Sequence, residues 1–279
     1  MAKSEDMWKS ILIVCFFYFS TFQLWSQLHP NPVIIDEGLP SVYTTDIVKD
    51  DHGIIWIGTT NGFCSYDGTS FEFFQPNEAD EYSLVHPFIT EMVFDSIRNV
   101  IWLASVDGLS KFDLETHTFE NFFTEPTHGM EKFEIEAIAL DHKGGFWCSI
   151  NGLGLAEYQE DSSKFVLYPI PTSFPLEVDM RKTKTILDIA TGKKHQNKLW
   201  LGTGMGLLEF NLESKVYHLH FFENPDTEAT RYINQVRTIL PIDHQLLIGT
   251  WSFGYTIYEP PVQSKKVEIV TSNAFFNSE

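Results

Sequence analysis

Ile55-Trp56-Ile57-Gly58-Thr59 sets a pattern that the chain goes on repeating. It returns as Ile101-Trp102-Leu103-Ala104-Ser105, Phe146-Trp147-Cys148-Ser149-Ile150 and Leu199-Trp200-Leu201-Gly202-Thr203. A fifth copy, Leu246-Leu247-Ile248-Gly249-Thr250, carries Leu in the Trp place. The central position recurs after 46, 45, 53 and 47 residues. A period of about 40–50 residues is the length of one four-stranded propeller blade.

Working outward, the features on either side repeat as well. Before each copy lies an apolar-rich stretch: Thr44–Lys49, Ile89–Phe94, Ile135–Leu140, Thr185–Ala190 and Ile233–Ile239. A turn joins the two, clearest in Asp50-Asp51-His52-Gly53 and Asp141-His142-Lys143-Gly144. Asp bonds its own backbone and Gly takes positive φ, so both close hairpins at little cost. Their counterparts vary from Asp95 to Thr191, which marks them as turn formers. After each copy a Gly-hydrophobic pair opens a third strand: Gly62-Phe63, Gly108-Leu109, Gly154-Leu155, Gly206-Leu207 and Gly254-Tyr255. Aromatic fourth strands follow at Phe71–Phe74, Phe119–Phe123, Phe165–Tyr168 and Tyr217–Phe222. The Trp strand itself is almost continuously apolar, as a strand covered on both faces must be. The expected fold is all-β: a β-propeller of four-stranded blades, five visible at about 44–77, 89–126, 135–171, 183–225 and 233–271. Trp56, Trp102, Trp147 and Trp200 are read as core, each covering the adjoining blade.

The chain has 279 residues, 43% hydrophobic and 15% aromatic, enough apolar surface to bury a large core. Its formal charge is −19 and no basic run occurs. That excludes nucleic acid as a partner, because phosphate binding needs clustered Lys and Arg. Lys3 and Lys9 precede an apolar run from Ile11 to Trp25, so residues 1–26 read as an export signal. A mostly apolar run of fifteen residues suits a signal-peptide core better than a membrane span of about twenty. Glu5 and Asp6 offset the two lysines, which leaves an uncleaved anchor as the alternative. An exported, periplasmic protein is expected. Cys64 and Cys148 fall in different repeats and are expected as buried free thiols.

The run of strand, Asp-x-x-Gly turn, Trp-Ile-Gly-Thr, Gly-Leu, aromatic-Asp-Gly and aromatic strand resembles the two-component regulator propeller repeat. The likeness is best over Thr45–Phe74, with Trp56-Ile57-Gly58-Thr59, Gly62-Phe63 and Tyr66-Asp67-Gly68, and extends over about 33–270. The resemblance implies a periplasmic sensor region of a Bacteroidetes-type hybrid two-component regulator. It also implies a seven-bladed ring, glycan-responsive in many members, and a homodimer in the full-length context. Only five units are visible here, and the family's Ig-like domain, second membrane span and kinase are missing. The expectation is therefore an incomplete or open part of a larger propeller. Val33–Asp36 is read as an outer strand that completes a last blade, and Lys266–Val270 as the fourth strand of unit five.

Ligands of propellers commonly gather on the face where second-to-third strand loops and blade-to-blade loops emerge. On the first kind of loop lie Asn61, Asp107, Asn151, Met205, Trp251 and Ser252. Near the starts of inner strands lie Tyr43, His86 and Arg237. Trp251 stands outside the core Trp column, and an aromatic platform among polar groups suits sugar stacking. Packing of that ring on a neighbouring blade is the alternative. His218 and His220 share one strand face but have no evident third ligand, so no metal or other cofactor is expected. The functional expectation is a non-catalytic sensor of a small molecule or oligosaccharide. A propeller lyase or glycosidase would need convergent acid and base groups. Only scattered carboxylates, led by Asp107, are on offer. A secreted protein-interaction scaffold is the third reading.

Overall fold

The computed structural model describes residues 39–125, 132–171, 185–204, 206–220, 235–250, 254–260 and 274–275. The segment read as an export signal, the strand expected at 33–36 and the one expected at 266–270 lie outside the described residues. No α-helix occurs among the described residues; one 3-10 turn, Glu160–Ser162, is the exception to strand and loop.

Five antiparallel meanders follow one another. Blade one is β1 (Thr44–Lys49), β2 (Ile55–Thr59), β3 (Gly62–Tyr66) and β4 (Phe71–Phe74). Blade two is β5 (Ile89–Asp95), β6 (Val100–Ser105), β7 (Gly108–Asp113) and β8 (Phe119–Phe122). Blade three is β9 (Ile138–Leu140), β10 (Phe146–Ile150), β11 (Gly154–Gln159) and β12 (Lys164–Pro169). Blade four is β13 (Ile186–Ala190), β14 (Lys198–Thr203), β15 (Gly206–Asn211) and β16 (Tyr217–His220). Three strands of blade five are described: β17 (Val236–Ile242), β18 (Gln245–Thr250) and β19 (Gly254–Tyr258). A two-residue strand, β20 (Ala274–Phe275), pairs with the outer edge of β12. β17 runs on past Ile239, where the sequence reading ended it, through Pro241 to Ile242. Proline is tolerated there because, among the described residues, β17 pairs on one side only, with β18.

Inner strands pack in chain order, β1 on β5, β5 on β9, β9 on β13 and β13 on β17. Each tryptophan faces the following blade. Trp56 meets Phe112 edge-on at 5.3 Å, Trp102 stacks on Phe146 at 3.9 Å, and Trp147 meets Phe210 at 5.5 Å. All four tryptophans are buried, each within one of four apolar clusters that coincide with the four seams. Among the described residues the two ends of the arc have no such cover. Ile47 and Phe73 are exposed on blade one, and Leu240, Tyr255 and Ile257 on blade five. Blades one to four bury such faces against a neighbour, so the open propeller expected from the repeat count is what the fold displays.

The turn aspartates do more than form turns. Asp50 Oδ1 accepts the His52 and Ile54 N–H groups, and its Oδ2 accepts the Trp56 indole N–H at 2.9 Å. Asp141 repeats this with Lys143, Gly145 and Trp147, the last at 3.0 Å. Asp95 does the same for Ile97, Arg98 and Trp102, the last at 3.3 Å. One carboxylate thus closes the hairpin and satisfies a buried indole that would otherwise be orphaned. The register also corrects the counterpart in blade four. Val48 faces Trp56 and Ala190 faces Trp200, so the residue matching Asp50 is Gly192, one beyond Thr191.

Candidate functional site

The loops between second and third strands are built alike. Thr59, Ser105 and Thr203 each donate a side-chain hydroxyl to the carbonyl of Gly62, Gly108 or Gly206, at 2.8–2.9 Å. The third strand then starts with glycine because the backbone turns to positive φ, +121° at Gly62, +113° at Gly108 and +141° at Gly154. A Cβ on Gly154 would also stand 2.6 Å from the Tyr168 carbonyl oxygen. The next blade's lead-in clamps these loops. Gly62 N–H donates to Pro87 O at 2.7 Å, Gly108 N–H to Phe133 O at 2.8 Å, and Ile135 N–H to Ser105 O at 2.9 Å. Anything held by a loop therefore touches the seam to the following blade.

Two of the expected site residues, Asp107 and Asn151, bond to the lead-in of blade three. Asp107 pairs with Lys132 at 3.2 Å. Two residues further on, Glu134 accepts the Asn151 side-chain N–H at 2.6 Å, and Asn151 Oδ1 accepts the Thr185 hydroxyl at 3.2 Å. Burial, then the Glu134 charge, raise the carboxyl of Glu136, while the Arg237 guanidinium pulls it the other way. The Asp107–Lys132 pair thus joins the blade-two loop to the lead-in of blade three, and Asn151 joins that lead-in to Thr185 ahead of blade four. Asn61 and Tyr43 stay on blade one, where Asn61 donates to Pro40 O at 3.2 Å and the Tyr43 ring is exposed. His86 serves its own backbone, Nδ1 accepting the Phe88 N–H at 3.1 Å. Met205, Trp251 and Ser252 lie outside the described residues. Sequence reasoning missed Lys132, Glu134, Glu136 and Thr185, whose lead-ins differ from blade to blade in length and composition.

It also missed a second row, on the inner strands. The Asp46 carboxylate accepts the Met92 N–H at 2.7 Å, Glu91 that of Ile138 at 2.7 Å, and Asp188 that of Ile239 at 2.5 Å. Each bond crosses a seam or its extension from an equivalent register position, just after a β-bulge. In blade three the position is Ala137, and the bond is absent. Burial pushes the Glu91 carboxyl up to about 8, with Asp188, Asp46 and Glu136 adding repulsion. Burial likewise lifts Asp188 to about 6 and raises Asp46. The signal was masked because these acids stand at unequal distances ahead of their Trp.

His220 is packed at a seam, between Glu209 at 3.3 Å and the Tyr258 hydroxyl at 3.0 Å. Among the described residues no group of three or more His, Cys, Asp or Glu is placed to hold a metal. Cys64 and Cys148 are free and buried, and burial pushes the Cys64 thiol up to about 11 and raises that of Cys148 as well.

Residues 38–61, which run through β1 and β2 to Asn61, match the family described as two component regulator propeller. The chain carries a two component regulator propeller repeat. No curated protein matches it in sequence. The extracellular domain of BT3049 from B. thetaiotaomicron, described as a hybrid two component system, superposes with TM-score 0.63 at 23% identity over 85% of this chain and 30% of that one. PorZ, a surface component of the type-IX secretion system of Porphyromonas gingivalis, gives 0.55 at 19% identity over 83% and 34%. Virginiamycin B lyase from Staphylococcus aureus gives 0.52 at 14% identity over 81% and 74%. At these identities the likeness establishes the propeller fold, which serves sensing and catalysis alike. The chain spans about a third of the first two structures' length. The matched repeat contains Asp46, Asp50, Trp56 and Asn61, so the seam bond, the turn clamp and the site loop all belong to it.

Proposed function

We propose that this arc of blades is the ligand-sensing region of an exported two-component signal transduction protein. It recognises a glycan or similar solute outside the cytoplasm and is not catalytic by itself. The observation that carries this reading is the polar rim of Asp107, Lys132, Glu134, Asn151 and Thr185, tied to the blade seams. Sugar hydroxyls both donate and accept, and the rim offers carboxylates, an amide, a hydroxyl and the Lys132 ammonium on adjoining loops. Loops on a rigid sheet scaffold keep such groups in place before a ligand arrives. A ligand that displaces the bond between Asn151 and Thr185 acts on blades three and four together. The kinship of the 38–61 repeat supports the signalling role. Trp251 follows β18 directly in sequence and is proposed as the stacking platform.

Calorimetric titration with a panel of neutral oligosaccharides tests this. Saturable binding of at least one is expected. Asn151→Ala should weaken it roughly tenfold, the loss of about one net hydrogen bond, and Trp251→Ala should weaken it too. A panel with no binder, or one whose members are cleaved, overturns the proposal.

A further inference from the structure

A lysine ammonium stands over the seam tryptophan in three of the four blades that have one. Lys111 lies 5.8 Å from the Trp102 ring, Lys215 4.6 Å from Trp147 and Lys198 5.6 Å from Trp200. A carboxylate fixes each cation: Glu120 at 2.6 Å, Glu157 at 3.1 Å and Glu209 at 2.8 Å. The negative π face of an indole favours such a charge. Blade one has the ring and the acid without the ammonium. Trp56 faces Ser65 across β2 and β3, and Ser65 faces Glu72 across β3 and β4. The same two steps in blade two run from Trp102 to Lys111 to Glu120. Serine therefore stands where blade two has its lysine, and Glu72 is the counterpart of Glu120. The turn position that sends Lys215 over blade three holds His117 beside blade one. Both have φ +56°, and each donates its N–H at 2.9 Å to the carbonyl four residues back. An imidazole sheds its charge near neutral pH, which an ammonium does not.

The consequence is a cavity. About 310 Å³ is left open, with Trp56, Ser65, Asp67, Glu72 and His117 in its walls, and among the described residues no lysine or arginine lines it. Trp56 is 3% exposed, whereas the other three seam tryptophans are sealed at 0%. Ser65 is 8% exposed, and its hydroxyl makes no hydrogen bond among the described residues. A buried hydroxyl in that state calls for a partner from outside. The Glu72 carboxylate lies 3.5 Å from His117 Nδ1, both side chains about half exposed. Asp67 adds a second negative charge, since bonds from the Ser70 N–H and from the Thr69 hydroxyl and N–H keep its carboxyl well below the usual range. We infer that this cavity binds a small primary ammonium ligand, whose NH₃⁺ group takes over Trp56 the place that Lys111 fills over Trp102. Glu72 pairs with it as Glu120 pairs with Lys111, and the Ser65 hydroxyl accepts one of its N–H groups. The volume is at the small end for ligand sites, which limits the ligand to a short-chain amine.

The test titrates n-butylammonium into the full chain at constant ionic strength and follows the tryptophan indole N–H resonances by NMR. One indole resonance should shift saturably, and neither n-butanol nor sodium should move it. Glu72→Gln should weaken binding about threefold to fivefold, the scale of an exposed ion pair. Ser65→Lys supplies the ammonium from the chain itself, as in blade two; it should abolish binding and melt no lower than wild type. Equal shifts with n-butanol, an unchanged titration in Glu72→Gln, or wild-type binding in Ser65→Lys refutes the site. Glu72→Gln decides the matter however Ser65→Lys folds. The cavity shares no residue with the polar rim, so failure here leaves the glycan reading standing, and the reverse holds.

Discussion

Asp141→Ala is the sharpest perturbation of the blade architecture. The carboxylate accepts the Lys143 N–H at 2.7 Å, the Gly145 N–H at 2.9 Å and the Trp147 indole N–H at 3.0 Å. Trp147 is wholly buried at the seam between blades three and four, so the alanine variant leaves its indole without an acceptor. That orphaned donor costs about 1–3 kcal/mol, and the two turn bonds about 0.5–1.5 kcal/mol each. Water recovers part of the turn contribution, because Lys143 is exposed and Gly145 half-buried. A net loss of about 2–4 kcal/mol is expected on that basis. Asp141→Asn keeps one carbonyl oxygen, enough for the turn or for the indole but not both, and should lose about half as much. Urea unfolding followed by circular dichroism measures both, with midpoints shifting at an unchanged slope. An alanine loss below about 0.5 kcal/mol, the range of ordinary surface changes, would refute the double role of the turn acid. So would equal losses for Asn and Ala.

Two further outcomes follow from the same geometry. Glu91 holds its proton up to about pH 8 in the folded chain, whereas the unfolded chain releases it near the ordinary 4.5. The native state therefore binds more protons between those values, and stability falls as pH rises through that window. At about 1.4 kcal/mol per pH step the loss is on the order of a few kcal/mol. Thermal melts between pH 5 and 8 should show the decline in the wild type and a flatter profile in Glu91→Gln, which keeps an acceptor for the Ile138 N–H; parallel profiles would count against it. Gly154→Ala forces a Cβ onto the Tyr168 carbonyl at φ +141° and should cost at least about 1–3 kcal/mol. A melting temperature equal to wild type would show that the loop can be rebuilt without glycine.

The repeat was legible because blade physics is periodic. Trp56, Trp102, Trp147 and Trp200 recur at a near-constant spacing, and each lands at a seam as expected. The loop glycines and the turn aspartates were likewise visible, since both answer to local backbone demands. The candidate site was legible only in part. Asp107 and Asn151 could be named from the repeat as loop residues, whereas Lys132 and Glu134, which bond them, sit on lead-ins without a shared motif.

By itself, then, the sequence determined the blades: how many are visible, where their strands run, and which side chains fill the seams. Those features depend on neighbours in the chain, or on an apolar repeat that any stacked sheet would satisfy. Only the tertiary structure decided which acid bonds across a seam, which turn acid holds an indole, and that Gly192 leaves Trp200 without one. The seam pairings join residues about fifty apart in sequence, and the turn pairings, only six or seven apart, turn on register. A shift of one position, from Thr191 to Gly192, changes which partner is missing, and no local pattern records that shift.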